Sequence, residues 1–434
     1  MIRRALTSVA ATLSLLAGAT AAVAVAAAGT PAAAATAEAA AAAAASAGPA
    51  VPSWQPQGER TRGRASTADA PLLEPGVLYQ DTLAAEEGAL YYALDLDAVH
   101  SSYLAVFALP RPGAAVAYGD GIELTLTSSD GTRCDSGRRT FSADGAARPI
   151  GTWVKRTIGG DGPCQEAHAY LLEVTRVSRG TSDAAPWPVQ IRLTEEPALT
   201  AEAVPGPALS PGTRTPEPAT GLARDATGGA DPGHAGTLGA GVWKDEVLPG
   251  QTRFYRVPVG WGQQAFAEID FANAEVTRQG GFSGSGVRVE VYNPRWAFLG
   301  TGTASYRGEQ ASVTATTGKV AYANRYESGD AVSAARFGGW YYLAVSVHPE
   351  VADFVAGAVP VTLRVVLEGD AQAGPSYDGD PDEDLGLPGG PGPGNPLLRA
   401  LGFAALGAGV VLLLSLGVWT VIARRAPVAG SGGR

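Results

Sequence analysis

Apolar and polar residues alternate with a period of two in several short runs of this chain. Residues 122–126 read IELTL, 169–175 read AYLLEVT, 287–291 read VRVEV and 340–347 read WYYLAVSV. Side chains on a strand point alternately to its two faces, so each run predicts a strand with one face turned to a core. β-Branched and aromatic residues dominate the runs, and Gly, Pro, Asn and Asp cluster between them, where turns need them. The predicted fold class is all-β, with short strands at the spacing of a β-sandwich or jelly roll.

The two ends of the chain follow another pattern. Residues 400–423 read ALGFAALGAGVVLLLSLGVWTVIA, without a charge. A helix of that length rises about 36 Å, enough for a hydrocarbon core of ~30 Å. Trp419 suits an interface, Arg424 and Arg425 follow at once, and the acidic residues Asp378, Asp380, Asp382, Glu383 and Asp384 precede. Positive charge stays inside, so the expected topology is one spanning helix with a cytoplasmic tail and the bulk of the chain outside. At the N-terminus, Arg3 and Arg4 precede an apolar stretch and small-residue cleavage sites after Ala28 or Ala35, the pattern of a signal peptide.

Low-complexity stretches complete the division. The expected order is a signal peptide at 1–35, a disordered Ala/Pro-rich segment at 36–70, and a first β-sandwich at 71–201. A Pro/Gly-rich linker at 202–238 and a second β-sandwich at 239–368 follow. An acidic Gly/Pro stalk at 369–396, a transmembrane helix at 397–423 and a cytoplasmic tail at 424–434 end the chain.

The two sandwich blocks resemble each other, which predicts tandem copies of one domain. The first opens Tyr79-Gln80-Asp81-Thr82-Leu83 and reaches Tyr91-Tyr92. The second opens Trp243-Lys244-Asp245-Glu246-Val247 and reaches Phe254-Tyr255. They close on the matching runs 188–193 (PVQIRL) and 360–365 (PVTLRV). This opening, aromatic-x-Asp-x-aliphatic followed by a paired aromatic, resembles that of bacterial pre-peptidase C-terminal domains. The resemblance implies small jelly-roll modules attached to secreted enzymes, some of which bind polymers or carry calcium. The protease that accompanies such modules has no counterpart in this sequence. The layout also resembles exported single-pass membrane proteins of actinobacteria.

A net charge of -10 excludes nucleic acid as a partner, because phosphate binding needs a basic face. The only two cysteines, Cys134 and Cys164, lie outside any metal-ligand spacing and predict one disulfide in an exported chain.

Candidate chemistry is sparse. His100, His168, His234 and His348 have no partner at metal or catalytic spacing. The run 280–286 (GGFSGSG) fails the nucleophile-elbow frame and reads as a loop entering a strand. The acidic run 378–384 departs from the EF-hand frame and reads as a solvated stalk, with weak calcium binding as the alternative. Asp81 and Asp245 match between copies, either as caps of a strand edge or as a shared calcium or ligand contact. Residues 300–335 read as a long insert at one end of the second sandwich, with Arg325 and Tyr326 its most conspicuous side chains. No cofactor is expected. The leading expectation is a surface protein, anchored in membrane lipid, that offers two sandwiches to an envelope protein or polysaccharide. A subunit of an envelope complex and a hydrolase with a dispersed active site are the alternatives.

Overall fold

The structure is a computed structural model that describes residues 51–86, 88–160, 162–200 and 216–378. The expected signal peptide, transmembrane helix and tail lie outside the described residues, as does most of the expected stalk. Among the described residues no helix is long and apolar enough to cross a membrane.

The chain is all-β. The first block forms β1 (Glu59–Arg60), β2 (Leu78–Leu83), β3 (Ala89–Leu96), β4 (Ser101–Ala108), β5 (Gly121–Ser128), β6 (Arg133–Thr140), β7 (Ile150–Arg156), β8 (His168–Val177) and β9 (Trp187–Glu196). They make two sheets, in the orders β1-β2-β9-β4-β7 and β3-β8-β5-β6. The second block forms β10 (Arg224–Asp225), β11 (Gly236–Thr237), β12 (Gly241–Val247), β13 (Thr252–Val259), β14 (Gln264–Phe271), β15 (Ser283–Tyr292), β16 (Phe298–Tyr306), β17 (Ala311–Lys319), β18 (Gly339–Val347) and β19 (Val359–Glu368). Its sheets run β10-β12-β19-β14-β17 and β11-β13-β18-β15-β16.

The two sets correspond strand for strand, with β11 added in the second. Register agrees as well. Asp81 faces Val189 and Leu78 faces Arg192 across β2 and β9; Asp245 faces Val361 and Val242 faces Arg364 across β12 and β19. Even the ladder irregularity recurs, between Leu126 and Thr127 in one copy and between Val291 and Tyr292 in the other. Leu83, Ile191, Val247 and Leu363 are all buried, as the alternation of faces requires.

Each copy reaches further toward its N-terminus than the composition indicated. Residues 51–70 carry β1, parallel to β2, and a buried Trp54; residues 224–237 carry β10 and β11, parallel to β12 and β13. Low aliphatic content hid these segments, because they are held by backbone pairing and one aromatic anchor. Residues 300–335 likewise are not a loop. They hold most of β16, all of β17 and a short helix, α1 (Asp330–Ala334). Gly, Ser and Thr are enriched there because both strands lie at sheet edges and half of their side chains face water.

Within each copy the two sheets enclose one core: Leu104, Val106, Leu124, Leu172 and Ile191 in the first, Val257, Ile269, Val289, Leu343 and Leu363 in the second. A third cluster lies between the copies. It joins Ala105, Phe107 and Leu109, on the far side of β4, to Phe254, Tyr292, Trp296, Tyr342 and Ala344, on the far sides of β13, β15 and β18 and the turn after β15. The β2-β9-β4-β7 sheet therefore lies against the β13-β18-β15-β16 sheet, and the molecule is four sheets deep. This explains β4, where every residue is buried.

Candidate functional site

The repeat-matched aspartates occupy one site in each copy. Asp81 Oδ2 accepts from the Tyr92 hydroxyl at 2.8 Å and from the Gly63 N–H at 2.7 Å, and its Oδ1 accepts from the Thr82 N–H at 2.7 Å. Asp245 repeats the set with Tyr255 at 2.7 Å, Gly228 at 2.8 Å and the Glu246 N–H at 2.8 Å. The carboxylates tie each leading segment to the sandwich behind it. A Cβ on Gly63 would lie 2.8 Å from the Tyr92 ring, and one on Gly228 would lie 2.7 Å from the Tyr255 ring, so the close approach needs glycine in both copies. Burial pushes the Tyr255 hydroxyl up, and the Asp245 charge adds to it, so the phenol stays a donor. These groups act on the fold, and protein donors already fill the carboxylates' inward-facing oxygens.

Two further sets of buried ionisable groups lie in the seam between the copies. On one side of the aromatic cluster lies Glu290, 2 % exposed, on β15. Its Oε1 is 2.7 Å from Arg139 Nη2 and 3.6 Å from Arg148 Nε, both in the first sandwich, and its Oε2 accepts from Tyr292 at 2.8 Å. Arg288 beside it pairs with Asp144, and the Arg139 guanidinium lies 3.5 Å from the centre of the Phe298 ring. Burial pushes the Glu290 carboxyl up, but Arg148, Arg139 and Arg288 more than offset this and hold it below the usual carboxylate range.

On the other side lies Glu196, 1 % exposed, at the end of β9. It accepts from Tyr103 at 2.7 Å, from Tyr377 at 2.6 Å, and from both terminal nitrogens of Arg325 at 2.8 and 3.0 Å. Burial again opposes ionisation and the Arg325 charge again prevails, so the carboxyl is held low. Arg325, conspicuous in the sequence but without a role there, is thus a cross-sandwich anchor. Tyr326 beside it is exposed. Tyr377 arrives from the start of the expected stalk, where the Asp378 N–H donates to Ala198 O and Thr200 N–H donates to Ser376 O. Sequence reasoning missed Glu196 and Glu290 because a carboxylate at an even strand position reads as solvent-facing.

The remaining candidates are scattered. His100 contacts Asp97 and His234 contacts Asp231 at chain turns, His348 caps the short 349–353 helical turn, and His168 starts β8. Ser283 of the glycine-rich run begins β15, opposite Tyr306. Among the described residues no group of three or more His, Cys, Asp or Glu could hold a metal ion. Cys134 and Cys164 form a disulfide with their Cα atoms 5.6 Å apart, joining β6 to the loop after β7.

No family model matches the chain, and no curated protein matches it. Among solved structures it is similar to the tandem CBM22-1–CBM22-2 domain of Paenibacillus barcinonensis Xyn10C, at 12 % identity over 67 % of this chain and 86 % of that one, with a TM-score of 0.18. It is also similar to dimeric latent PorU of Porphyromonas gingivalis, at 12 % identity over 70 % of this chain and 23 % of that one, with a TM-score of 0.17. The human MASP-1/3 CUB1-EGF-CUB2 segment matches at 8 % identity over 67 % of this chain and 99 % of that one, with a TM-score of 0.15.

Proposed function

We propose that the protein is a non-enzymatic surface protein. Two jelly-roll-like sandwiches, exported and then held by a C-terminal membrane helix, act as one rigid body that binds an envelope protein or polysaccharide. Apart from the two-residue leading strands β1, β10 and β11, both copies share one eight-strand order, which supports the jelly-roll reading. The uncharged segment 400–423 and the arginines after it support the anchor.

The observation that carries the proposal is the seam. Its aromatic cluster and its buried carboxylate–arginine sets lock the two copies together, and Tyr377 ties the membrane-proximal end of the described chain into the same lock. A body built this way holds its outer surfaces at a fixed distance and orientation from one another. Because each copy hides a different sheet, the exposed sheet faces are β3-β8-β5-β6 and β12-β19-β14-β17, which are not equivalent. Two identical sheet-face sites acting by avidity are not the arrangement this favours.

The test is capture of partners from envelope extract by the full-length protein in detergent, with calcium and with chelator. We expect a discrete component retained in a saturable manner. Retention no greater than on an unrelated membrane-anchored protein, in both conditions, would remove the binding role.

A further inference from the structure

The edge of the second sandwich formed by β16 and β17 is open. Between these strands and α1 lies a cleft of about 360 Å³, lined by Leu299, Gly300, Thr316, Lys319, Val332 and Ala335 among others. That volume is at the small end of the range for ligand pockets, roughly 300–1,000 Å³. The comparison with the first copy shows what has been removed. By register, Cys134, Asp135 and Lys155 of the first copy hold the positions of Leu299, Gly300 and Thr316. There Cys134 is bonded to Cys164, and Asp135 crosses from β6 to β7, accepting from the Lys155 N–H at 2.8 Å with its Nζ at 3.6 Å. One copy staples this edge; the other has a leucine, a glycine and a threonine.

The lining defines the ligand. The hydroxyls of Thr301 and Thr316 accept from Arg288 and Gln264, and that of Thr317 accepts from the Ala265 N–H and donates to Gly318 O. Few polar groups remain to bind a sugar. An inserted peptide strand does not fit either, since the two edges meet at Gly302, where a Cβ would lie 2.6 Å from Val313 and 2.8 Å from Thr314 O. What remains is an apolar slot with one cation. Lys155 and Lys244 are paired with Asp135 and Asp225, but Lys319 has no carboxylate within ion-pair distance among the described residues.

We infer that this cleft binds a single-chain anionic amphiphile, with the alkyl chain between β16, β17 and α1 and the acidic head at Lys319. The inference does not rest on the binding role proposed above. The chemistry is that of a medium-chain fatty acid, free or released from membrane lipid.

The test uses the full-length protein in native membranes and dodecanoic acid carrying a terminal diazirine. After irradiation, peptides covering residues 298–319 are expected to carry label that saturates and is competed by unlabelled dodecanoic acid. Gly300→Leu should abolish that label, because a Cβ at Gly300 meets nothing within 4 Å and the larger side chain fills the slot without displacing backbone. The thermal transition of this variant is measured alongside. Lys319→Ala should weaken half-saturation by the acid about tenfold, as expected for loss of a charged hydrogen bond, and leave the matching diazirine alcohol unchanged. Label confined to residues 400–423, or cleft label unchanged in Gly300→Leu, would overturn the inference. If Gly300→Leu loses its thermal transition, the Lys319→Ala pair of probes decides. An equal effect on acid and alcohol is then the overturning result.

Discussion

Arg325 of the second sandwich forks onto Glu196 of the first, with its two terminal nitrogens 2.8 and 3.0 Å from the two carboxylate oxygens. Both side chains are almost wholly buried, so neither has water to fall back on. Removing one partner of such a pair strands the other charge, at a cost of about 3–5 kcal/mol. Glu196→Ala should lower stability by that amount in urea unfolding. Replacement of an exposed pair such as Arg138–Glu123 should change it by less than about 1 kcal/mol.

The seam should also make the two sandwiches unfold together. Phe107 packs its ring 5.2 Å from Tyr292 and 5.9 Å from Trp296 across the interface. Phe107→Ala should cost about 3–5 kcal/mol through the cavity it leaves. In calorimetry the parent protein should give one transition for the two sandwiches and the variant two. Two transitions in the parent would show that the copies fold independently.

Acid should loosen the seam before it loosens either core. The Glu196 and Glu290 carboxyls titrate lower in the folded protein than when unfolded. Their contribution is therefore complete above the unfolded value of about 4.3 and is lost as pH falls through the lower folded values. Stability measured from pH 6 downward should hold to near that value and then fall. The fall should be shallower in Glu290→Gln, which no longer titrates there.

Reduction of Cys134–Cys164 opens a loop with a sequence separation of 30 residues. Chain entropy assigns the bond about 3–4 kcal/mol. Cys134→Ser/Cys164→Ser should lose that amount, with hydrogen exchange rising first around β6 and the 157–167 loop and little around β16.

The matched aspartates give a paired prediction. Tyr92→Phe and Tyr255→Phe each remove one donor from a buried carboxylate, at about 1–3 kcal/mol. The loss should be smaller at Tyr255, because Asp245 keeps Arg253 at 3.2 Å, whereas Arg62 stands 3.6 Å from Asp81 and is half exposed. Equal losses would mean that Arg253 contributes nothing.

The strands with one apolar face, such as β5 and β8, were legible because a single core imposes period two. The repeat was legible for the same reason: Asp81 with Tyr92 and Asp245 with Tyr255 do the same work in both copies. β4 and β6 were not. β4 is buried on both faces, so its sequence SSYLAVFA does not alternate, and β6, RCDSGRRT, is an edge strand with almost no apolar residues. The seam was hidden for a related reason. Glu290, Arg288 and Arg192 sit at positions that face water in a lone sandwich, and only the partner's surface turns them inward.

The two copies meet front to back: the sheet that one buries is the counterpart of the sheet that the other leaves open. Such a contact is heterologous, so a single domain using it would assemble head to tail, into a ring or an open chain, rather than into a two-fold dimer. The residues show how growth is stopped at two. Where the second copy brings Arg288, Glu290 and Tyr292 to the seam, the first has Glu123, Thr125 and Thr127. Where the first brings Phe107, the second has Asp270, paired with Arg364 at 3.0 Å on its open face. Each end of the stack thus lacks the half of the interface that another molecule would need. The sequence differences between the copies are in this sense the termination signal of the assembly.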